Sequence, residues 1–244
     1  MQFTPDQLTK YNERGYVIID CPFPQTLTDA CLHAVEKVAQ EPLPDEDGKK
    51  NHHRLRPQLP DSYWCKLDHS LPFLQIELHT DIVELARQLE NDDDIYFRNG
   101  GINELAPQRS FLWHRDAEIE YIEFMHYFSG SKKENGCLRV IPGSHIGSVD
   151  RLITQVEDLR NKRGDANPTT GQSIPDVKLP NEISLKLRPD QILVRSSRIY
   201  HATWVNTTSQ SRLMHMVRRH RSSTQKYSTK IHNRAKRASS FRSM

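Results

Sequence analysis

What this sequence lacks removes several classes of protein at the outset. No run of apolar residues approaches the roughly 18 that a membrane-spanning helix needs, so no span is expected. The opening stretch MQFTPDQLTKYNERGYVIID has no apolar core behind a basic head, which argues against a secretory signal peptide. CxxC and zinc-ribbon spacings are missing too: the four cysteines stand apart at 21, 31, 65 and 137. Scattered cysteines without an export signal predict reduced thiols and a cytoplasmic location rather than a disulfide framework. There is no internal repeat. Acidic residues are absent from 218–244, which carries nine Lys or Arg, while the first 217 residues hold a net charge of −6 against +3 for the whole chain.

With 244 residues, 36% of them hydrophobic and 27% charged, the chain is long enough to bury a real core as one large domain or two small ones. Thr4-Pro5-Asp6-Gln7 supplies a cap, a first-turn proline and an acid for a short helix ended by Gly15; YVIID then reads as a strand. Gln25 to Glu41 is amphipathic at helical period, with Leu27, Cys31, Ala34, Val35 and Val38 on one face. The polar, proline-rich stretch that follows reads as a loop, and DIVELARQLE as a helix capped near Thr80 or Asp81.

From Asp94 the texture changes. DIYFRNGGI, SFLWHRDAEI, EYIEFMHYF, CLRVIPGSH, ISLKLRP, QILVRSSRIYHATWV and RLMHMVRRH are short runs rich in β-branched and aromatic residues, separated by Gly, Asn, Pro and Ser. The expected fold is mainly β with flanking helices, a sandwich or jelly roll. Residues 148–181 interrupt the strands with one helical and one irregular half, an insert long enough to serve as a lid.

Two His-x-Asp pairs occur. His79 and Asp81 fall at a helix start, where residues two apart point about 200° away from each other, so capping explains them better than ligation. His114 and Asp116 lie in an extended run, where alternate side chains share a face. Taken alone, the second pair fits a surface hydrogen bond as well as a metal claw. With His201, 87 residues on, it would complete the two-histidine, one-carboxylate set that leaves positions on Fe(II) open for oxygen and a cosubstrate. Arg212 follows His201 across the turn NTTSQS. A guanidinium there suits the distal carboxylate of a dicarboxylic cosubstrate, and Thr203, in phase with His201, could add a hydroxyl.

These segments resemble, in order, the motifs of the phytanoyl-CoA dioxygenase family of Fe(II)/2-oxoglutarate oxygenases. FTPDQLTKYNERGYVIID is similar to the family's opening helix and strand, WHRD to its HxD motif, NGCLRVIPGSH to its G-x-L-x-x-x-P-G-S-H signature, and RIYHATWVNTTSQSRL to its distal segment. The resemblance implies a double-stranded β-helix (a cupin-like jelly roll) over residues 1–217, with 218–244 as a basic extension. It implies that His114, Asp116 and His201 hold iron, and that Arg212, helped by Thr203 and by Asn103 or Asn99, holds 2-oxoglutarate. The implied reaction consumes O2, converts 2-oxoglutarate to succinate and oxidises a small molecule, most simply by hydroxylation. Asp116 favours hydroxylation further, because the family's halogenases carry a small residue at that position.

Arg54, Arg56, Arg109 and Arg198, with Arg139, are the expected cations for an anionic substrate. His126, His145 and His215 read as structural. Two rivals stand beside this reading: the same chemistry on a nucleic acid guided by the basic tail, and a non-catalytic binding protein on the same fold. The first is disfavoured because the tail carries no recognition motif, the second because a degenerate site has no reason to keep all four key residues.

Overall fold

A computed structural model describes residues 1–40, 67–117, 119–164 and 173–221. Arg54 and Arg56 lie outside the described residues. Helix α1 (Pro5–Arg14) begins as its sequence requires: Thr4 Oγ1 accepts from Gln7 N at 3.2 Å and Gln7 Oε1 accepts from Thr4 N at 2.8 Å. It ends at Gly15, whose φ of 81° lets its N–H reach Tyr11 O. Strand β1 (Tyr16–Asp20) follows, then α2 (Gln25–Gln40), α3 (Leu67–Glu77) and α4 (Thr80–Glu90). The α4 cap is His79 rather than Thr80 or Asp81: its Nδ1 accepts from Asp81 N at 3.3 Å. Capping, not ligation, accounts for that His-x-Asp pair.

The remaining strands are β2 (Ile95–Leu105), β3 (Ile122–Tyr127), β4 (Leu138–Val140), β5 (Ile183–Leu185), β6 (Gln191–Ser196), β7 (His201–Thr203) and β8 (Arg212–Arg221), with α5 (Asp150–Arg163) between β4 and β5. They form two antiparallel sheets, β1-β6-β3-β8-β2 and β5-β4-β7. The result is a double-stranded β-helix. Strand β8 stays paired to its last residue, Arg221 opposite Ile95, so residues 218–221 belong to the sheet and not to the extension expected from 218.

Strand alternation sorts the side chains into layers. On the outer face of the large sheet, Val17, Ile122, Phe124, Ile192 and Val217 pack against Cys31 and Val35 of α2 and Ile82 and Leu85 of α4. Each such aliphatic chain contributes roughly 1.5–3 kcal/mol of burial. Met125, Tyr127, Leu138, Val140, Leu193, Met214 and Met216 fill the space between the sheets. A third cluster lies behind β7: Trp113 and Tyr200 stack at 5.6 Å, with Val156, Val177 and Leu179 from the insert around them. The described parts of that insert thus buttress the back of the small sheet. Among the described residues no helix is long and apolar enough to cross a membrane.

Candidate functional site

The HxD segment is not the regular strand its sequence predicts. Its one bridge is His114 with His201, through reciprocal backbone bonds of 2.8 and 2.9 Å, and Phe111 O accepts from Thr203 N at 3.1 Å beside it. These contacts seat one histidine beside the other, with ring centroids 4.2 Å apart. Asp116 closes the group: its Oδ1 lies 3.2 Å from His114 Nε2 and its Oδ2 lies 3.8 Å from His201 Nε2. Donor atoms of all three fall within 4.8 Å of one another, a set that can hold a metal ion and, among the described residues, the one such set.

Both imidazoles are also oriented for that task. His114 Nδ1 is 2.7 Å from Leu112 O, and His201 Nδ1 is 3.0 Å from Ile199 O. A hydrogen donated to each carbonyl fixes the tautomer that leaves Nε2 bare and aimed at the shared point, as metal-ligating histidines require. Burial, then the nearby Arg195 charge, holds the His201 ring well below the ordinary imidazole value, hence neutral. Burial would raise the Asp116 carboxyl, but the charge of Arg195 outweighs it and holds it well below the usual carboxylate range.

His201 and Thr203 stand opposite Val140 and Leu138, two members of the interior cluster, so both face the space between the sheets. Thr203 Oγ1 accepts from Phe111 N at 2.7 Å, which leaves its own hydrogen to donate. Arg212 enters the same space from β8, 5% exposed. One nitrogen donates to Gly136 O, the guanidinium lies 4.9 Å from the centre of the Tyr127 ring, and Nε has no partner. Burial pushes its pKa down. A buried guanidinium with no carboxylate among the described residues invites an anion. Asn103 stands opposite Met214 on the inner phase of β2, two positions from the pairing of Leu105 with Arg212.

The expected substrate cations do not gather in this way. Arg198 is half-buried, 3.4 Å from Gly147 O, and lines a cleft of about 300 Å³ with Tyr11, Glu90, Glu120 and His145. Arg109 is exposed. Arg139 is taken up by structure, bonded to Glu182 Oε1 at 3.1 Å and Oε2 at 2.6 Å and to the carbonyls of Asp176 and Val177. His145, with Nε2 3.1 Å from Asn12 O, joins the HxD side of the barrel to α1; His126 and His215 are buried on the outer face. Sequence reasoning missed three interior residues: Arg195, Glu123 and Tyr127. The signal was there in part, because Arg195 shares the inward phase of β6 with Leu193, where a charge is out of place.

A jelly roll that carries a two-histidine, one-carboxylate cluster between its sheets defines the class of non-haem iron oxygenases. The chain belongs to the phytanoyl-CoA dioxygenase (PhyH) family, whose model matches residues 11–214. HygX from Streptomyces hygroscopicus, solved with nickel and 2-oxoglutarate bound, is similar over 91% of this chain and 88% of its own, at 16% identity and a TM-score of 0.70. EvdO2 from Micromonospora carbonacea var. aurantiaca, complexed with 2-oxoglutarate, covers 89% of this chain and 90% of its own at 18% identity and a TM-score of 0.62. SnoN, a non-heme alpha-ketoglutarate-dependent epimerase from nogalamycin biosynthesis, covers 88% and 81% at 14% identity and a TM-score of 0.61. No curated protein matches the sequence.

Proposed function

We propose that the protein is an Fe(II)/2-oxoglutarate-dependent oxygenase of a small molecule, with His114, Asp116 and His201 as the iron ligands. The observation that carries this reading is the convergence of two Nε2 atoms and a carboxylate on one point, with both Nδ1 atoms tied to backbone carbonyls. Bound iron with 2-oxoglutarate and O2 supplies the oxidising power, and succinate and CO2 are the co-products. Everything else is done by the chain. The two imidazoles and Asp116 would hold the ion with three protein donors, which would leave it room to take up 2-oxoglutarate and O2. Arg212, unable to lose its charge and lacking a carboxylate of its own, holds the distal carboxylate of 2-oxoglutarate. Thr203 and Asn103 add hydrogen bonds to the same group. Tyr127, fully buried with an unpartnered hydroxyl beneath Arg212, closes that end of the pocket to water.

Hydroxylation of an unactivated C–H bond is the simplest outcome, because Asp116 fills the position a halide would need. Arg198, the described member of the expected cation set that lines a cleft, is the first residue to examine for an anionic substrate. The reading is tested by incubating the protein with Fe(II), 2-oxoglutarate and O2 and assaying succinate. Formation that depends on all three and is lost in His201→Ala is the expected result. Succinate formed equally by His201→Ala, or none under any condition, would overturn it.

A further inference from the structure

Arg195 sits behind the proposed metal ligands, 2% exposed, and nothing in the reading above gives it a task. One of its nitrogens, Nη2, contacts both Asp116 Oδ2 and Glu123 Oε2. Nε lies 3.1 Å from Met125 Sδ, and Nη1 lies 3.1 Å from His201 Nδ1. That last contact cannot be an N–H donated to the ring if a metal occupies Nε2, for Nδ1 then keeps its hydrogen and gives it to Ile199 O. Arg195 meets His201 as a charge at its edge. Glu123, 0% exposed, also receives Nε of Arg218 at 2.7 Å through Oε1. A continuous row thus runs Asp116, Arg195, Glu123, Arg218, with alternating sign, into the metal site.

A cation this close to a divalent site is electrostatically wrong unless it does something. We propose that Arg195 is a positioning residue that holds Asp116 to one-oxygen ligation, and that Glu123 is the counter-charge that makes this cation compatible with the metal. The geometry distinguishes the two carboxylate oxygens. Oδ1 faces His114 Nε2 at 3.2 Å, while Oδ2, 3.8 Å from His201 Nε2, is engaged by the guanidinium. An Asp116 free to bind through both oxygens would take a position that 2-oxoglutarate or O2 needs. Arg195 prevents this by keeping Oδ2 occupied, at the expense of metal affinity; Glu123 returns part of that affinity. The inference rests on metal binding by His114, Asp116 and His201.

The test is a pair of substitutions with opposite expected signs, read as Mn(II) affinity by calorimetry without turnover. Arg195→Gln removes a cation and frees Oδ2, so Mn(II) should bind about tenfold more tightly; Glu123→Gln leaves Arg195 without its counter-charge, and binding should weaken about tenfold. Succinate formation should fall in both, so Arg195→Gln would bind metal better and turn over worse. A merely structural role predicts weaker binding in both variants, and that result, or unchanged affinity in both, overturns the proposal. Should Arg195→Gln fail to fold, Glu123→Gln is compared with Arg195→Lys, which keeps the charge. Weakened binding in the first with near wild-type affinity in the second supports the proposal, and equal affinities overturn it. His114→Ala separates the two levels. If it binds Mn(II) like the wild type, the ligand assignment itself fails and the role of Arg195 falls with it; if it loses Mn(II) while the 195 and 123 variants bind normally, only the positioning role is wrong.

Discussion

Arg139 and Arg212 are both buried guanidinium groups, one on the outer face of the small sheet and one between the sheets, and their surroundings differ completely. Arg139 lies between Trp113 and Trp204, 4.9 and 4.5 Å from the ring centres, and meets both oxygens of Glu182 and two backbone carbonyls. Arg212 has one carbonyl, one aromatic face and an unpartnered Nε. Burying a charge is costly unless it is paired and hydrogen-bonded. The first arginine is therefore part of the fold's own bonding, whereas the second makes sense as half of an interaction whose other half arrives with a ligand.

The largest effect that could break this contrast is on stability. Arg139→Met leaves the Glu182 carboxylate buried without its partner, and a loss of about 3–5 kcal/mol is expected in urea unfolding. Arg212→Met should do the reverse: it removes an uncompensated charge, so the unfolding midpoint should hold or rise. A loss from Arg212→Met as large as that from Arg139→Met would erase the distinction.

The next effect is on the cosubstrate. Losing a buried charge-assisted hydrogen-bond pair to a carboxylate should raise the KM for 2-oxoglutarate roughly 100-fold in Arg212→Met, with the KM for the oxidised substrate little changed. Asn103→Ala, at a side chain proposed to give that carboxylate one neutral hydrogen bond, should raise it only about fivefold. Steady-state succinate assays over a range of 2-oxoglutarate concentrations check both.

The smallest effect concerns buried groups that, unlike Arg212, can shed their charge. Burial holds His126 and His145 below the ordinary imidazole value. In the unfolded chain both take up protons near pH 6.5. Their contribution to stability is thus complete above that pH and is lost as pH falls toward their lower folded-state values. Metal-free protein should show a lower urea midpoint at pH 5.5 than at pH 7.5; a midpoint that rises on acidification would contradict this.

Much of the arrangement was legible in the chain because it is carried by local patterns. The Thr4–Gln7 capping box, the alternation that puts Arg212 in phase with Met214 and Met216, and the shared phase of His201 and Thr203 all follow from a few neighbouring residues. The rest depends on pairings between distant segments. Arg195 finds Asp116 and Glu123 across 79 and 72 residues, and no local pattern announces which carboxylates will meet it. Arg139 was expected among the substrate cations because it lies next to a ligand-bearing strand; alternation turns it to the opposite face, toward Glu182. The HxD run has the composition of a strand, yet its pairing with β7 stops at His114, since Arg115 turns out to donate to Ser144 O and Asp116 turns inward to Arg195. The expected domain boundary falls at 217, although the strand run RLMHMVRRH reaches His220, because Arg218, Arg219 and Arg221 look like tail. They are held in the sheet by Glu123, the Glu77 carbonyl and Glu90.

The measurement that bears most directly on the whole arrangement is an anaerobic titration of the protein with Fe(II) and 2-oxoglutarate, followed by visible absorption. Iron held by two imidazoles and one carboxylate together with 2-oxoglutarate should give a charge-transfer band that saturates at one iron per chain. The band should be absent in His201→Ala, and in Arg212→Met it should need far more 2-oxoglutarate to appear. No band in the wild type, or the same band at the same concentrations in His201→Ala, would contradict a metal centre at these residues.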